Sequence, residues 1–201
     1  MGHLSVDMIL NWIMIVTSQV KMDFNMLPKA LRFILFSSLV FLHSAYAETP
    51  KLDSTKHLVG DVGIAEFQQQ PYKQWFDKNH SAHVVDLEIL DELQFLLTDV
   101  SITVFMGTWC HDSQREVPAL LKILDAISFD KNKLRIVALS LNKDTPEQIE
   151  AAFAIKRTPT IIFSRNKKEI GRFVEYPQKT LEEDIRAILK DRSSQHSYAD
   201  Q

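Results

Sequence analysis

The chain has 201 residues, 45% of them hydrophobic and 24% charged, with a formal net charge of -3. That is an ordinary globular composition. The small negative charge leaves no basic footprint for a nucleic-acid partner, and a single cysteine rules out an internal disulfide.

In chain order, the first 47 residues read as a leader rather than as fold. Met26 to Ala47 has the build of a secretory signal peptide: Lys29 and Arg32 at its charged start, then an apolar core from Phe33 to Leu42. That core is short for a bilayer span. Ala45-Tyr46-Ala47 sets small residues at the two positions a signal peptidase reads. Cleavage after Ala47 is therefore expected, with export to a periplasm. Residues 1–25 fit a start-site artefact upstream of a true start at Met22 or Met26; a natural leader or an uncleaved anchor is the alternative.

Residues 48–80 read as linker and N-terminal extension, polar and uncommitted to about Gly60. Phe67, Tyr72, Trp75 and Phe76 then anchor an irregular or helical stretch interrupted by Pro71. The domain proper is expected over 81–190. Ala82 to Val85 is a short strand candidate. Asp86 is an expected N-cap for a helix carrying Ile89, Leu90, Leu93, Leu96 and Leu97. Ser101 to Met106 is nearly all apolar, as in a strand buried on both faces. A helix from Ser113 to Ser128 shows Val117, Leu120, Leu121, Leu124 and Ile127 at helical spacing. Leu134 to Leu141 is a second buried strand. Asp144-Thr145-Pro146 should start a helix running to about Ile155. Thr160 to Ser164 and Glu169 to Val174, joined by a polar turn, argue a hairpin. Thr180 to Lys190 is the closing helix, and residues 191–201 a frayed tail. Helices between strands imply parallel neighbours, and the hairpin adds an antiparallel edge. The fold class expected is α/β, a central mixed sheet with helices on both faces.

Cys110 lies in Trp109-Cys110-His111-Asp112-Ser113, where the buried strand gives way to a helix. First-turn N–H groups and the helix dipole stabilise a thiolate at such a junction. Ser113 is placed to donate a hydrogen bond to that thiolate, or to cap the helix. Asp112 is a like charge to the thiolate, whereas a protonated His111 would assist it. In an oxidising compartment a lone thiol is either reactive or paired between molecules; a buried, inert cysteine is the bland alternative.

Three features then combine: Trp109-Cys110-x-x-Ser113 at the strand-to-helix junction, Pro118 eight residues after Cys110, and Arg157-Thr158-Pro159-Thr160 leading into a strand. Together they resemble the thioredoxin superfamily over roughly Ala82 to Lys190. The Gly107-to-Ser113 string is also similar to exported bacterial thioredoxin-like proteins. The resemblance implies a thioredoxin-like fold with Pro159 cis and lying against Cys110. It implies a substrate groove formed by Thr158 and Pro159, flanked by Trp109 and shaped by His111 and Asp112. Two departures matter. Ser113 stands where thioredoxins carry a second cysteine, and Val104 where many keep a buried carboxylate.

With one thiol, Cys110 can attack a client disulfide but needs an outside thiol to release it. Removal of a small-thiol adduct, isomerisation, or covalent capture of a client thiol therefore remain as reactions, with Cys110 and Ser113 as the catalytic pair. The expected partners are client protein thiols or disulfides and an external resolving thiol such as glutathione. The rival reading is a non-catalytic peptide- or partner-binding module, and a homodimer linked through Cys110 is a third. No metal and no bound cofactor are expected: His80 and His83 lie three apart, but no further ligand cluster supports them.

Overall fold

A computed structural model describes residues 51–52 and 56–190, all within one compact unit, Glu48–Gln201. The leader, its cleavage site and the C-terminal tail at 191–201 lie outside the described residues. Among the described residues, no helix is long and apolar enough to cross a membrane.

Six strands form one sheet: β1 (Lys51–Leu52), β2 (Leu58–Val62), β3 (Val100–Met106), β4 (Leu134–Ala138), β5 (Thr160–Arg165) and β6 (Lys168–Val174). Their spatial order is β1-β2-β4-β3-β5-β6. β3 and β4 run parallel, with Val104 opposite Ile136, and every other neighbouring pair is antiparallel. The mixed α/β sheet of a thioredoxin-like fold is therefore what the chain forms. β3 sits centrally, paired on both sides, which is why its sequence is apolar almost throughout. Its alternation splits the core. Ile102, Val104 and Met106 join one large cluster, whereas Phe105 joins Val137, Leu139 and Ile162 on the opposite face.

The first face is covered by α2 (Tyr72–Ala82), α3 (Leu87–Leu96), α4 (His111–Ala126) and α6 (Leu181–Lys190), with short α1 (Ile64–Phe67) beside α2. The second is covered by Ile149, Phe153 and Ile155, around the single-turn α5 (Ile149–Ala152). Helices lie on both faces, but unequally. Asp86 caps α3 as expected, its carboxylate accepting from Glu88 N–H at 3.0 Å.

Five local readings are corrected. Ala82 to Val85 is not a strand; it ends α2 and begins an extended link whose backbone bonds to side chains, His83 O accepting from Lys122 Nζ at 2.6 Å. The stretch to Gly60 is not simply linker, because Leu58–Val62 pairs with β4 and buries Leu58 and Val59. β4 ends at Ala138 rather than Leu141. The helix expected from Asp144 to Ile155 shrinks to one turn. The backbone turns left-handed at Gln148 and again at Ala154, with φ of 53° and 51°. Thr145 accepts from Ile149 N–H and donates to buried Glu150, holding the irregular entry. The hairpin is also tighter than its polar run suggests: only Asn166 and Lys167 form the turn, both at positive φ, as a two-residue hairpin turn of the primed kind requires.

Candidate functional site

β3 delivers the chain to Gly107, and four residues later α4 begins. The intervening turn is pinned from several directions. Cys110 N–H donates to Gly107 O at 3.0 Å. Gln114, in the first turn of α4, reaches back with Nε2 to Thr108 O at 2.8 Å. Thr108 is buried, and its hydroxyl accepts from Leu58 N–H at 3.3 Å, tying the turn to β2. Trp109 lies back over Gly107 and donates Nε1–H to Leu139 O at 3.0 Å. The indole packs so closely that a Cβ on Gly107 would sit 2.5 Å from Trp109 Cε2.

Cys110 is the N-cap residue of α4 and is half-buried. Its S–H donates to Thr158 O at 3.2 Å. The structure thus brings together two segments 48 residues apart in sequence, the cysteine turn and the Thr158-Pro159 loop. The Thr158–Pro159 peptide is cis, and both residues are buried. The loop is held by Glu175 N–H donating to Pro159 O at 2.8 Å and by Thr160 Oγ1 donating to Arg157 O at 2.7 Å.

The other expected site residues divide. His111 is exposed at the first position of α4. Asp112 turns along the helix and pairs with Arg115 at 2.8 Å, so its charge has a partner of its own. Ser113 is fully buried, and its Oγ accepts from Gly107 N–H at 3.2 Å. The expected hydrogen bond from Ser113 to the sulfur is not formed. The hydroxyl instead satisfies an amide that the end of β3 leaves without a ladder partner. His80 stacks on Phe76, and His83 Nε2 lies 2.9 Å from Glu182 Oε1, so the two histidines do not converge. Among the described residues no group of three or more His, Cys, Asp or Glu is placed to hold a metal ion.

Sequence reasoning passed over a set of buried charges beside the cysteine turn. Glu116 and Glu182 are both buried and line the same cavity, with His83 and Arg115. Burial pushes the Glu116 carboxyl above its ordinary range; the Arg115 hydrogen bond and charge only partly oppose this, and Asp112 adds to it. Burial would raise Glu182 too. Hydrogen bonds from His83, from its own amide and from Asp86 N–H outweigh that and hold it below the usual value. A glutamate within a helical pattern reads as solvent-facing, so no local signal marks either residue.

The thioredoxin family model matches residues 64–187. No curated protein matches the sequence. Among solved structures, thioredoxin f2 of Chlamydomonas reinhardtii is 24% identical, over 37% of this chain and 64% of that one, with a TM-score of 0.29. This chain therefore spans less than two thirds of that protein's length. Fasciola hepatica thioredoxin is 17% identical over 42% of this chain and 79% of its own, with a TM-score of 0.30. A Pseudomonas aeruginosa protein of unknown function is 15% identical over 67% and 89%, with a TM-score of 0.46.

Proposed function

The chain belongs to the thioredoxin family, and on that premise we propose that it is an exported protein performing thiol–disulfide exchange through one sulfur, that of Cys110. One observation carries the reading: the only cysteine is half-buried at the start of α4, with Sγ 3.2 Å from the carbonyl of Thr158. The export half rests on the Lys29-to-Ala47 pattern.

Cys110 gives up its proton to solvent, and the thiolate attacks one sulfur of a client disulfide. A new S–S bond joins Cys110 to the client as the client's own S–S bond breaks. The departing sulfur leaves as a thiolate and takes a proton. Ser113 cannot displace the client, because a hydroxyl does not exchange with disulfides and this one is bound to Gly107. Release therefore falls to an external thiol such as glutathione, or to a second client cysteine. The protein acts as a carrier or isomerising partner, not as a self-contained dithiol reductant.

Client positioning would come from the Thr158-Pro159 loop and from Trp109, held against Leu139. Leu141 and Tyr176 are exposed. They follow closely in sequence on Leu139, which accepts from Trp109, and on Glu175, which is bonded to Pro159.

The rival is a peptide-binding module that uses the fold without the sulfur. It is favoured by the structural employment of Ser113. The deciding experiment incubates the folded chain with oxidised glutathione and reads intact mass. A single glutathione adduct, removed by reductant and absent from Cys110→Ser, is expected. An adduct that forms only after denaturation would overturn the exchange reading and leave the binding one.

A further inference from the structure

β3 and β4 run parallel, so both end at the edge of the sheet where the cysteine turn begins. β2 runs antiparallel to β4, and its first residues therefore start at that same edge. Their sequence reads as linker, but they are fastened in place. Tyr72, buried on α2, donates its hydroxyl to Lys56 O at 2.8 Å. Leu58 is buried as well, and its amide lies ahead of the β4 ladder, because pairing of β2 with β4 starts at Gly60. A buried amide in that position needs an acceptor from elsewhere.

The acceptor is Thr108, whose hydroxyl takes the Leu58 N–H at 3.3 Å. His57 Nδ1 lies 3.4 Å from the same oxygen. A hydroxyl accepts two bonds and donates one, so this single group can hold both neighbours. Thr108 is 3% exposed. It occupies the second position of the four-residue turn from Gly107 to Cys110, which Cys110 N–H closes on Gly107 O at 3.0 Å. Trp109, at the third position, is bound to Leu139 O just past the end of β4. The two central residues of the turn are thus fastened to two different strands. The Thr108 carbonyl is held in addition by Gln114 of α4. Cys110 follows as the last residue of the turn and the N-cap of α4.

We propose that Thr108 is a positioning residue for Cys110, and that the strap at residues 56–58 belongs to the thiol site through it. The inference rests on the exchange reading only in taking Cys110 Sγ as the reacting atom. Sulfur reactivity at a helix start depends on first-turn N–H groups that face it. That alignment holds only while the turn keeps one conformation. Without its hydroxyl, residue 108 loses its hold on the Leu58 amide, and the turn gains alternatives. The rate then falls with the fraction of molecules in the competent geometry. The bonds from Trp109 to Leu139 and from Gln114 to the carbonyl of residue 108 remain, so the loss is partial.

The test reads alkylation of Cys110 by iodoacetamide, which needs no disulfide exchange, so its outcome is separate from that of the glutathione experiment. Rates are followed by intact mass on the folded full chain at several pH values. Thr108→Val keeps the shape and removes the hydroxyl. It should slow alkylation about threefold or more at every pH, within what one ordinary hydrogen bond can shift. Thr108→Ser keeps the hydroxyl and should restore most of the rate. Asp86→Ala removes the cap of α3 and lowers stability without altering a bond of the turn; it should leave the rate unchanged. Thr108→Val reacting as fast as the unaltered chain, or Asp86→Ala slowing the reaction as much, overturns the proposal. So does a thiol that iodoacetamide fails to modify in the folded chain. If Thr108→Val does not fold, the Leu58 amide of the unaltered chain decides. Alkylation of Cys110 should move its NMR resonance and its exchange rate, and a Leu58 amide that alkylation leaves unmoved overturns the proposal.

Discussion

Asn79 Nδ2 donates to the carbonyl of Gln114 at 2.9 Å, and that carbonyl is the one Pro118 leaves unbonded. In a helix the N–H of residue 118 would bond to the C=O of residue 114, but proline has no N–H. The vacancy falls within α4, one turn after Cys110, and α2 fills it from outside the helix. The same Gln114 holds Thr108 O through its side chain. The proline defect and the cysteine turn therefore share one anchor.

Asn79→Ala should cost about 0.5–1.5 kcal/mol, the net contribution of one hydrogen bond at a half-buried acceptor. Pro118→Ala in that background should recover part of the loss, since the new N–H can bond Gln114 O. Denaturant unfolding of the two single variants and the double variant measures the coupling. Additive losses would show that Asn79 acts elsewhere.

Ser113→Ala should separate stability from chemistry. The Gly107 amide loses its acceptor in a fully buried setting, and about 1–3 kcal/mol of stability should go with it. The rate of Cys110 modification by oxidised glutathione should change little under conditions where the protein stays folded. Stopped-time mass spectrometry reads the second quantity. A rate drop of tenfold or more would restore Ser113 to the reaction.

Gly107→Ala should displace the indole. A Cβ would meet Trp109 Cε2 at 2.5 Å, within van der Waals contact, so the ring must leave and the bond from Nε1 to Leu139 O breaks. Tryptophan emission should shift toward longer wavelength as the ring becomes more exposed. An unchanged spectrum would mean that the turn relaxes instead.

The two buried glutamates should give opposite pH signatures. Glu182 has a lowered value in the folded state. The stability it contributes is present above the unfolded value of about 4.3 and is lost as pH falls through the folded value. Glu182→Gln should therefore destabilise at neutral pH, with the deficit closing in acid. Glu116 has a raised value, so the unfolded chain ionises first. Stability is lost as pH rises from about 4.3 through the folded value. Glu116→Gln should remove that loss and flatten the profile. Unfolding free energies across acid pH for both variants check the signs.

Much of the scaffold was legible because its pattern is local. β3 reads as a buried strand from its apolar run, and α4 from the spacing of Val117, Leu120, Leu121 and Leu124. Asp86 announces its cap through a side chain that bonds two residues away. The misreadings share a cause. Leu58–Val62 is short and flanked by polar residues, and only pairing with β4, more than 70 residues later, makes it a strand. The turns after Thr145 depend on Glu150, buried by its fit to that one loop.

Hydrophobic period and residue type act over a few neighbours, which is why the strand-to-helix junction at the one sulfur could be read along the chain. The meeting of Cys110 with the Thr158-Pro159 loop was implied by the resemblance, whereas tertiary structure alone decided that Ser113 serves Gly107 and that Glu116 and Glu182 share a cavity. Those pairings depend on how distant segments share hydrogen-bond donors, and composition and spacing along the chain do not encode which donor reaches which acceptor.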